Sequence, residues 1–289
     1  YGFRSLHHQN KRRSIRFFEA QFMQVVCDSL SAGMVRLQSE AKIAESRILL
    51  HQAFPPKIAQ MLTDDPSALR PQTQEITALF CDLRKFSAIA ERTSAELTYE
   101  FLADVMNQFS NAVIAMDGVS VDCYGDGLSA FWNAPVRQPM HALLACQAAK
   151  EILDVTEYLN LSWESRIGQK IEVGIGIHTG TATVGNSGSC RRLKYGPRGK
   201  TVNIASRLES LTKEFEVPIL ISKETASQVA SFISAKSVAT TVLRGHQNEF
   251  EVFTFKNDDV LPEPAKWFDS ALPIVSPDIT PNNKSADNA

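Results

Sequence analysis

VSVDCYGDGLSAFW, residues 119–132, sets two runs of strand-forming residues around a Gly-Asp-Gly turn. Val119, Val121 and Tyr124 before the turn, and Leu128, Phe131 and Trp132 after it, suit a pleated, half-buried surface. Glycine supplies the backbone freedom a tight turn needs. The spacing predicts a β-hairpin with arms 119–123 and 128–132. Two acids, Asp122 and Asp126, lie four residues apart, and only Asp126 sits in the turn. An aspartate there has a plain role as a turn former. It also presents hard oxygen at a hairpin tip, where a divalent cation binds if a second carboxylate lies near.

Outward from the hairpin, ITALFCDL at 76–83 predicts a buried strand that ends on an acid, Asp82. Thr93-Ser-Ala-Glu96 reads as a capping box opening a helix to about Met116. A second long helix is predicted over 138–159, apolar at Ala142, Ala145, Ala149, Ile152 and Leu153. KIEVGIGIHTG at 170–180 predicts a strand, with glycines where the backbone bends or lies open. A third helix follows at 201–213, a strand at 217–222, a short helix at 223–231, and strands at about 237–243 and 249–255. Strands interleave with helices and a hairpin lies early. That pattern predicts an α/β (α+β) sandwich with a mixed, mostly antiparallel sheet and flanking helices. No Gly-x-Gly-x-x-Gly opens a helix and no Walker loop occurs.

The 289 residues, 44% hydrophobic with a net charge of -2, suit a globular domain with extensions. That charge gives no argument for a nucleic-acid surface, and no predicted helix carries a basic face of useful length. The short basic runs KRR at 11–13 and CRRLK at 190–194 read as ordinary solvated surface. The five cysteines, Cys27, Cys81, Cys123, Cys146 and Cys190, form no Cys-x-x-Cys pair, which fits reduced thiols and a cytoplasmic setting. No apolar run reaches the roughly 20 residues of a membrane span. The chain begins with Tyr1, which leaves room for an upstream sensor or membrane region.

Four segments are expected: a helical linker at 1–56, a connector at 57–74, the main domain at 75–256 and a flexible tail at 257–289. From Ser14 to about Ala53 the pattern is helical, with Met34, Leu37, Ala41, Ala44 and Ile48 at spacings of three and four. That stripe predicts either an amphipathic helix lying on its own domain or a parallel two-chain stalk. Phe54-Pro-Pro56 stops it. The Pro-, Asp-, Ser- and Asn-rich tail cannot build a core of its own.

Three clusters carry possible chemistry. Asp82 and Asp126, at a strand end and a hairpin tip, are the pairing a hard cation needs. LRKFS at 83–87 follows Asp82, and a strand-to-helix turn there offers free N–H groups to phosphate, while Phe86 equally reads as a core anchor. In YGPRGKTVNIASRLES, 195–210, Asn203 and Arg207 lie four apart on one helix face, with Val202, Ile204, Ala205 and Leu208 expected to face the core. Arg207 reads either as a phosphoryl clamp or as half of a surface ion pair. Arg244, before Gly245, adds a positive group between two strands.

ALFCDLRKFS (78–87), YGDGLSAFW (124–132), VGIGIHTGTATVGNSGS (173–189), GKTVNIASRLE (199–209) and LRGHQNEFEVF (243–253) together resemble the catalytic domain of class III nucleotidyl cyclases, the adenylate and guanylate cyclases. The resemblance implies a ferredoxin-like sheet and two divalent cations, Mg²⁺ or Mn²⁺, on Asp82, Asp126 and the Leu83 carbonyl. One would lower the pKa of the ribose 3′-hydroxyl and the other would hold the β- and γ-phosphates. Phe86 and Ser87 fall in the phosphate-cradling turn. Asn203 falls where the ribose is oriented, Arg207 on the transition-state arginine, and Arg244 where a terminal-phosphate lysine is usual. In this family the metal aspartates and the Asn/Arg pair come from opposite subunits, so one such domain implies a homodimer with composite sites acting on ATP or GTP. The helix before Phe54-Pro-Pro56 resembles a signalling linker, in part the last helix of a GAF-type sensor.

Besides Arg244, three positions depart from the family pattern. Asp122 stands where adenylate cyclases place a lysine, and Gly196 where they place aspartate or threonine. An ionised Asp122 only accepts hydrogen bonds, the sign suited to guanine, where guanylate cyclases place glutamate. Lys200 replaces the usual Asp or Asn. The expected activity is ATP to cyclic AMP, with GTP to cyclic GMP and a catalytically silent cyclase-like dimerisation or sensing domain as the competing readings.

Overall fold

The computed structural model describes residues 2–4, 12–14, 17–53, 59, 62–65, 67, 70–186, 194–243 and 249–255, with only the backbone of 2–4, 12–14, 17–19, 46–47, 49, 51–53 and 121–124. The chain divides into two compact units, Tyr1–Gln52 and Ala53–Ala289. The first holds a small antiparallel hairpin, β1 (Gly2–Arg4) with β2 (Arg12–Ser14), and the long helix α1 (Phe17–Ala53). Met34, Leu37 and Ile48 of the predicted stripe are exposed on α1. The helix stop at 54–56, the basic run at 190–193 and the tail at 257–289 lie outside the described residues.

The second unit is built on one sheet. Its strands are β3 (Gln72–Leu83), β4 (Val119–Tyr124), β5 (Gly127–Trp132), β6 (Val173–Asn186), β7 (Tyr195–Arg198), β8 (Ile219–Ser222), β9 (Lys236–Val242) and β10 (Glu249–Thr254). Their order is β4-β5-β3-β6-β8-β10-β9, with β7 added beside β6. Only β6 and β8 run parallel, so the sheet is mixed and mostly antiparallel as expected. The helices are α2 (Phe86–Arg92), α3 (Ala95–Ala115), α4 (His141–Ile167), α5 (Lys200–Leu211) and α6 (Lys223–Val229).

Alternation along β3 and β6 separates two cores. Leu79, Cys81 and Leu83 of β3, with Ile175 and Ile177 of β6, join the large core beneath α3, α4 and α6. The opposite face carries α5, with a smaller cluster of Ile204, Leu208, Leu220, Leu243 and Val252. Phe101 and Trp163 meet edge to face at 5.4 Å and tie α3 to α4. Where α4 begins, the buried His141 shares a hydrogen bond with Thr77 at 2.8 Å, and Thr77 one with Thr179 at 2.8 Å. Burial and the low-dielectric setting push the His141 ring below the ordinary imidazole value.

Several boundaries move from their predicted places for local reasons. The cap of α3 is Ser94 and not Thr93: its side chain accepts from Leu97 N–H at 3.2 Å. Thr93 instead donates to the Ile89 carbonyl at 2.9 Å and finishes α2. α4 runs eight residues past 159, because Trp163 and Ile167 still bury on its inner face. β7 carries no strand signal of its own in the sequence. It forms because Tyr195 and Gly196 pair with Asn186 and Gly185 on the long end of β6.

Candidate active site

The β4–β5 hairpin closes with a two-residue loop, Tyr124 pairing with Gly127. Gly125 has φ 62°, and Asp126 does not share that conformation, a pattern that suits a turn demanding glycine at its first central position. Gly125 thus meets the stereochemical need of the turn, and Asp126 is spared as a carboxylate. β4 also carries a register shift between Ser120 and Asp122, an extra residue that simple alternation does not foresee. Asp122 pairs through its backbone with Ser129; its side chain lies outside the described residues.

Asp82 ends β3 between two glycines, Gly127 on β5 and Gly174 on β6. Neither neighbour has a side chain of its own there, and the partly buried carboxylate borders a small cavity. Burial raises its proton affinity, and the Asp126 charge raises it further. The two carboxylates, at adjacent strand ends, form an all-oxygen set of the kind a divalent cation takes. Among the described residues no group of three or more His, Cys, Asp or Glu could hold a metal, so the metal reading rests on these two aspartates.

Leu83 is buried beyond Asp82, and Lys85 then takes a left-handed turn, φ 57°, into α2. The first backbone donors of that turn with an acceptor in the helix are Ala88 and Ile89, both to the Lys85 carbonyl. The N–H groups of Phe86 and Ser87 precede them, as the first turn of a helix requires. Phe86 also packs against the large core, as the core-anchor reading expects.

Helix α5 lies directly on β6 because β6 has glycine on that face. A Cβ on Gly176 would strike Glu209 N and the Ala205 carbonyl, with Glu209 Cα at 2.8 Å. A Cβ on Gly174 would strike Thr212 Oγ1 and come within 3.1 Å of Glu209 Oε1. Gly176→Ala is therefore expected to lower stability by roughly 1–3 kcal/mol, the range for overpacking against backbone that cannot yield. An unchanged urea midpoint in that variant would mean that α5 is not seated so closely.

Ile204, Ala205 and Leu208 bury beneath α5 as expected; Thr201 buries with them, and Val202, also expected there, is only partly covered. Asn203 is exposed and Arg207 partly so, on the outer side of the helix. Neither lines the cavity beside Asp82. That cavity, about 160 Å³, is bounded by Asp82, Leu83 and Arg84 and by Glu209, Thr212 and Lys213. Gly196 is buried in β7, and Arg244 lies outside the described residues. One chain thus brings together Asp82, Asp126 and the turn at Phe86 and Ser87, and keeps Asn203 and Arg207 apart from that cavity.

Two residues of the site went unread in the sequence. Arg84 donates to the carbonyls of Val173 at 3.2 Å, Thr212 at 3.0 Å and Val217 at 2.8 Å. Glu209 faces Asp82 across the cavity, and burial, with the Asp82 charge second, pushes its carboxyl up to about 7. An arginine two residues after a strand-end acid was the available signal for the first. Nothing in RLE distinguishes the second from a solvated glutamate.

The model for the adenylate and guanylate cyclase catalytic domain matches residues 69–257. Adenylate cyclase 1 of Rhizobium meliloti (strain 1021) is 34% identical over 180 residues, 62% of this chain and 27% of that protein. The chain therefore spans about a quarter of that relative's length. The adenylyl cyclase CyaB from P. aeruginosa superposes with a TM-score of 0.62 at 28% identity, covering 66% of this chain and all of that one. The guanylyl cyclase Cya2 superposes at 0.61 with 26% identity, covering 68% of this chain and 98% of that one.

Proposed function

The chain belongs to the adenylate and guanylate cyclase catalytic-domain family, and from that premise we propose that it converts ATP to 3′,5′-cyclic AMP and diphosphate at sites shared by two copies. The observation that carries the reading is Asp82, set between Gly127 and Gly174 beside the hairpin-tip Asp126. Asp82, Asp126 and the Leu83 carbonyl would hold two divalent cations, Mg²⁺ or Mn²⁺, which when bound acidify the ribose 3′-hydroxyl and neutralise the β- and γ-phosphates.

The chain's own groups do the rest. The turn N–H groups of Phe86 and Ser87 meet phosphate oxygens. Asn203 orients the ribose so that its 3′-oxygen lies in line with the α-phosphorus and the leaving diphosphate. Arg207 meets the charge that grows on the α-phosphate as the new P–O bond forms and the old one breaks. Arg244 takes the terminal phosphates, keeping a lysine's charge but with planar, forked donors. Because Asn203 and Arg207 do not reach the cavity of their own Asp82, a second copy is the natural supplier. The exposed stripe on α1 fits a two-chain stalk that holds the copies in register.

The proposed organisation is a linker at 1–56, a connector at 57–74, the catalytic domain at 75–256 and a tail at 257–289, with a sensor upstream. Among the described residues no helix is long and apolar enough to cross a membrane. A cytoplasmic catalytic domain is in keeping with its nucleotide substrate.

The adenine choice leans on the 34% identical relative named as an adenylate cyclase. Asp122 favours the guanylate reading, since an ionised acid accepts from guanine N1–H and sets acceptor against acceptor at adenine N1. A buried unpaired acceptor costs about 1–3 kcal/mol. The deciding measurement is kcat/KM for ATP and GTP with Mn²⁺. Asp122→Ala is expected to leave ATP turnover within about tenfold, the value of one poorly matched contact. A wild-type preference for GTP that vanishes in Asp122→Ala would reverse the assignment. No product from either nucleotide would favour the silent-domain reading.

A further inference from the structure

Helix α5 meets two different sites at once. Its inner side carries Glu209, with Lys213 just beyond its end, and both border the cavity of the chain's own Asp82. Its outer side carries Asn203 and Arg207, which do not line that cavity. At about 100° per residue, Arg207 and Glu209 point to roughly opposite sides of one short helix. The helix has little freedom to absorb a local shift. Its backbone rests on Gly174 and Gly176 without room for a methyl group. Its last turn is held by Arg84, which lies two residues after Asp82 and donates to the Thr212 carbonyl at 3.0 Å. Thr212 in turn donates to the Glu209 carbonyl at 2.5 Å. The segment bearing the metal aspartate and the end of α5 are therefore one bonded assembly.

We propose that α5 couples the two active sites of the dimer: Glu209, Lys213 and Arg84 tie it to the Asp82 of its own chain, while Asn203 and Arg207 serve the site built on the partner's Asp82. This rests on the composite-site reading above. Glu209, Lys213 and Arg84 are positioning residues here, since none is placed on substrate. The physical switch is the charge facing Glu209. With Asp82 free, two acids share a small cavity with one lysine. With a divalent cation on Asp82 that repulsion turns to attraction, and the end of α5 is drawn toward β3. Because the helix moves as one piece, Arg207 moves at the other site, where a displacement of about 1 Å changes rate by about 100-fold. The coupling is reciprocal: filling either site changes the other's cation affinity by the same factor.

The test titrates Mn²⁺ into the full-length homodimer with saturating 3′-deoxy-ATP, which has no 3′-hydroxyl to cyclise, and reads the free ion by electron paramagnetic resonance. In wild type the two Asp82 sites are expected to differ in apparent affinity by about fivefold or more, the lower range of measured site–site coupling. In Glu209→Gln, with dimerisation and circular dichroism unchanged, the sites should become equivalent. Lys213→Gln, at an exposed position, is a second variant that does not depend on Glu209→Gln folding; it should widen the difference by removing the cation that acts on both acids, Arg84 remaining beside Glu209. Equivalent sites in wild type, or an undiminished difference in Glu209→Gln, would overturn the proposal, as would a Lys213→Gln isotherm identical to wild type. Failure of mixed Asp82→Ala and Arg207→Ala chains to recover turnover would strike the composite-site premise instead, and with it this coupling; that readout is activity and not ion binding, so the two failures are told apart.

Discussion

Asp82→Ala and Asp126→Ala should each lower kcat at saturating Mn²⁺ by about 100-fold or more while the fold survives. Activating the 3′-hydroxyl and neutralising the polyphosphate are worth several kcal/mol, and each tenfold in rate is about 1.4 kcal/mol. The fold should not suffer, and the sign follows from the electrostatics. Burial and the Asp126 charge raise the proton affinity of Asp82 in the folded chain. Glu209 is raised to about 7 by burial and by Asp82. A carboxyl raised on folding binds protons more readily in the native state. Without metal it therefore favours folding below its native pKa and opposes it as pH rises through the window from the ordinary carboxylate value to about 7. Removing Asp82 relieves that opposition, so the melting temperature of chelated Asp82→Ala should match or exceed wild type at neutral pH. Retention of more than about a tenth of kcat would sink the two-cation assignment, because a single decade is too little for nucleophile activation.

Mixing Asp82→Ala chains with Arg207→Ala chains should restore activity that neither parent homodimer has. In the mixed dimer one site pairs an intact Asp82 with the other chain's intact Arg207, and the second site lacks both. Random exchange makes about half of the dimers mixed, each with one of two sites alive, so about a quarter of wild-type specific activity is expected. The structural ground is that Asn203 and Arg207 stand on the outer side of α5, away from the cavity at Asp82. If subunit exchange is demonstrated by a tagged pull-down and turnover stays at the parental level, the shared site is wrong.

Much of the sheet was legible because its strands carry their own signals. The hairpin was fixed by Gly125 and the strand formers around it, and β3 by an unbroken apolar run that ends at Asp82. The stretches YGDGLSAFW and GKTVNIASRLE carried the family resemblance without any coordinates. β7 was not legible, since Tyr195–Arg198 with its Gly and Pro reads as a turn until the long end of β6 lies beside it. The cap at Ser94 was missed by one residue because Thr93 and Ser94 are equally good caps, and only the end of α2 claims Thr93.

Turn chemistry and residue spacing are local properties of the chain, so the main strands and helices of the domain, the two aspartates at strand end and hairpin tip, and the shared face of Asn203 and Arg207 could be read without coordinates. Folding alone sets Asp82 between Gly127 and Gly174, brings Glu209 to its cavity, and lets Arg84 bind the end of α5 to that strand. Gly174 in GIGIH and Glu209 in RLE carry no mark of their meeting. They become neighbours only when β6 pairs with β3 and α5 lies across it, and the charge each acid then feels comes from burial and from partners far away in sequence.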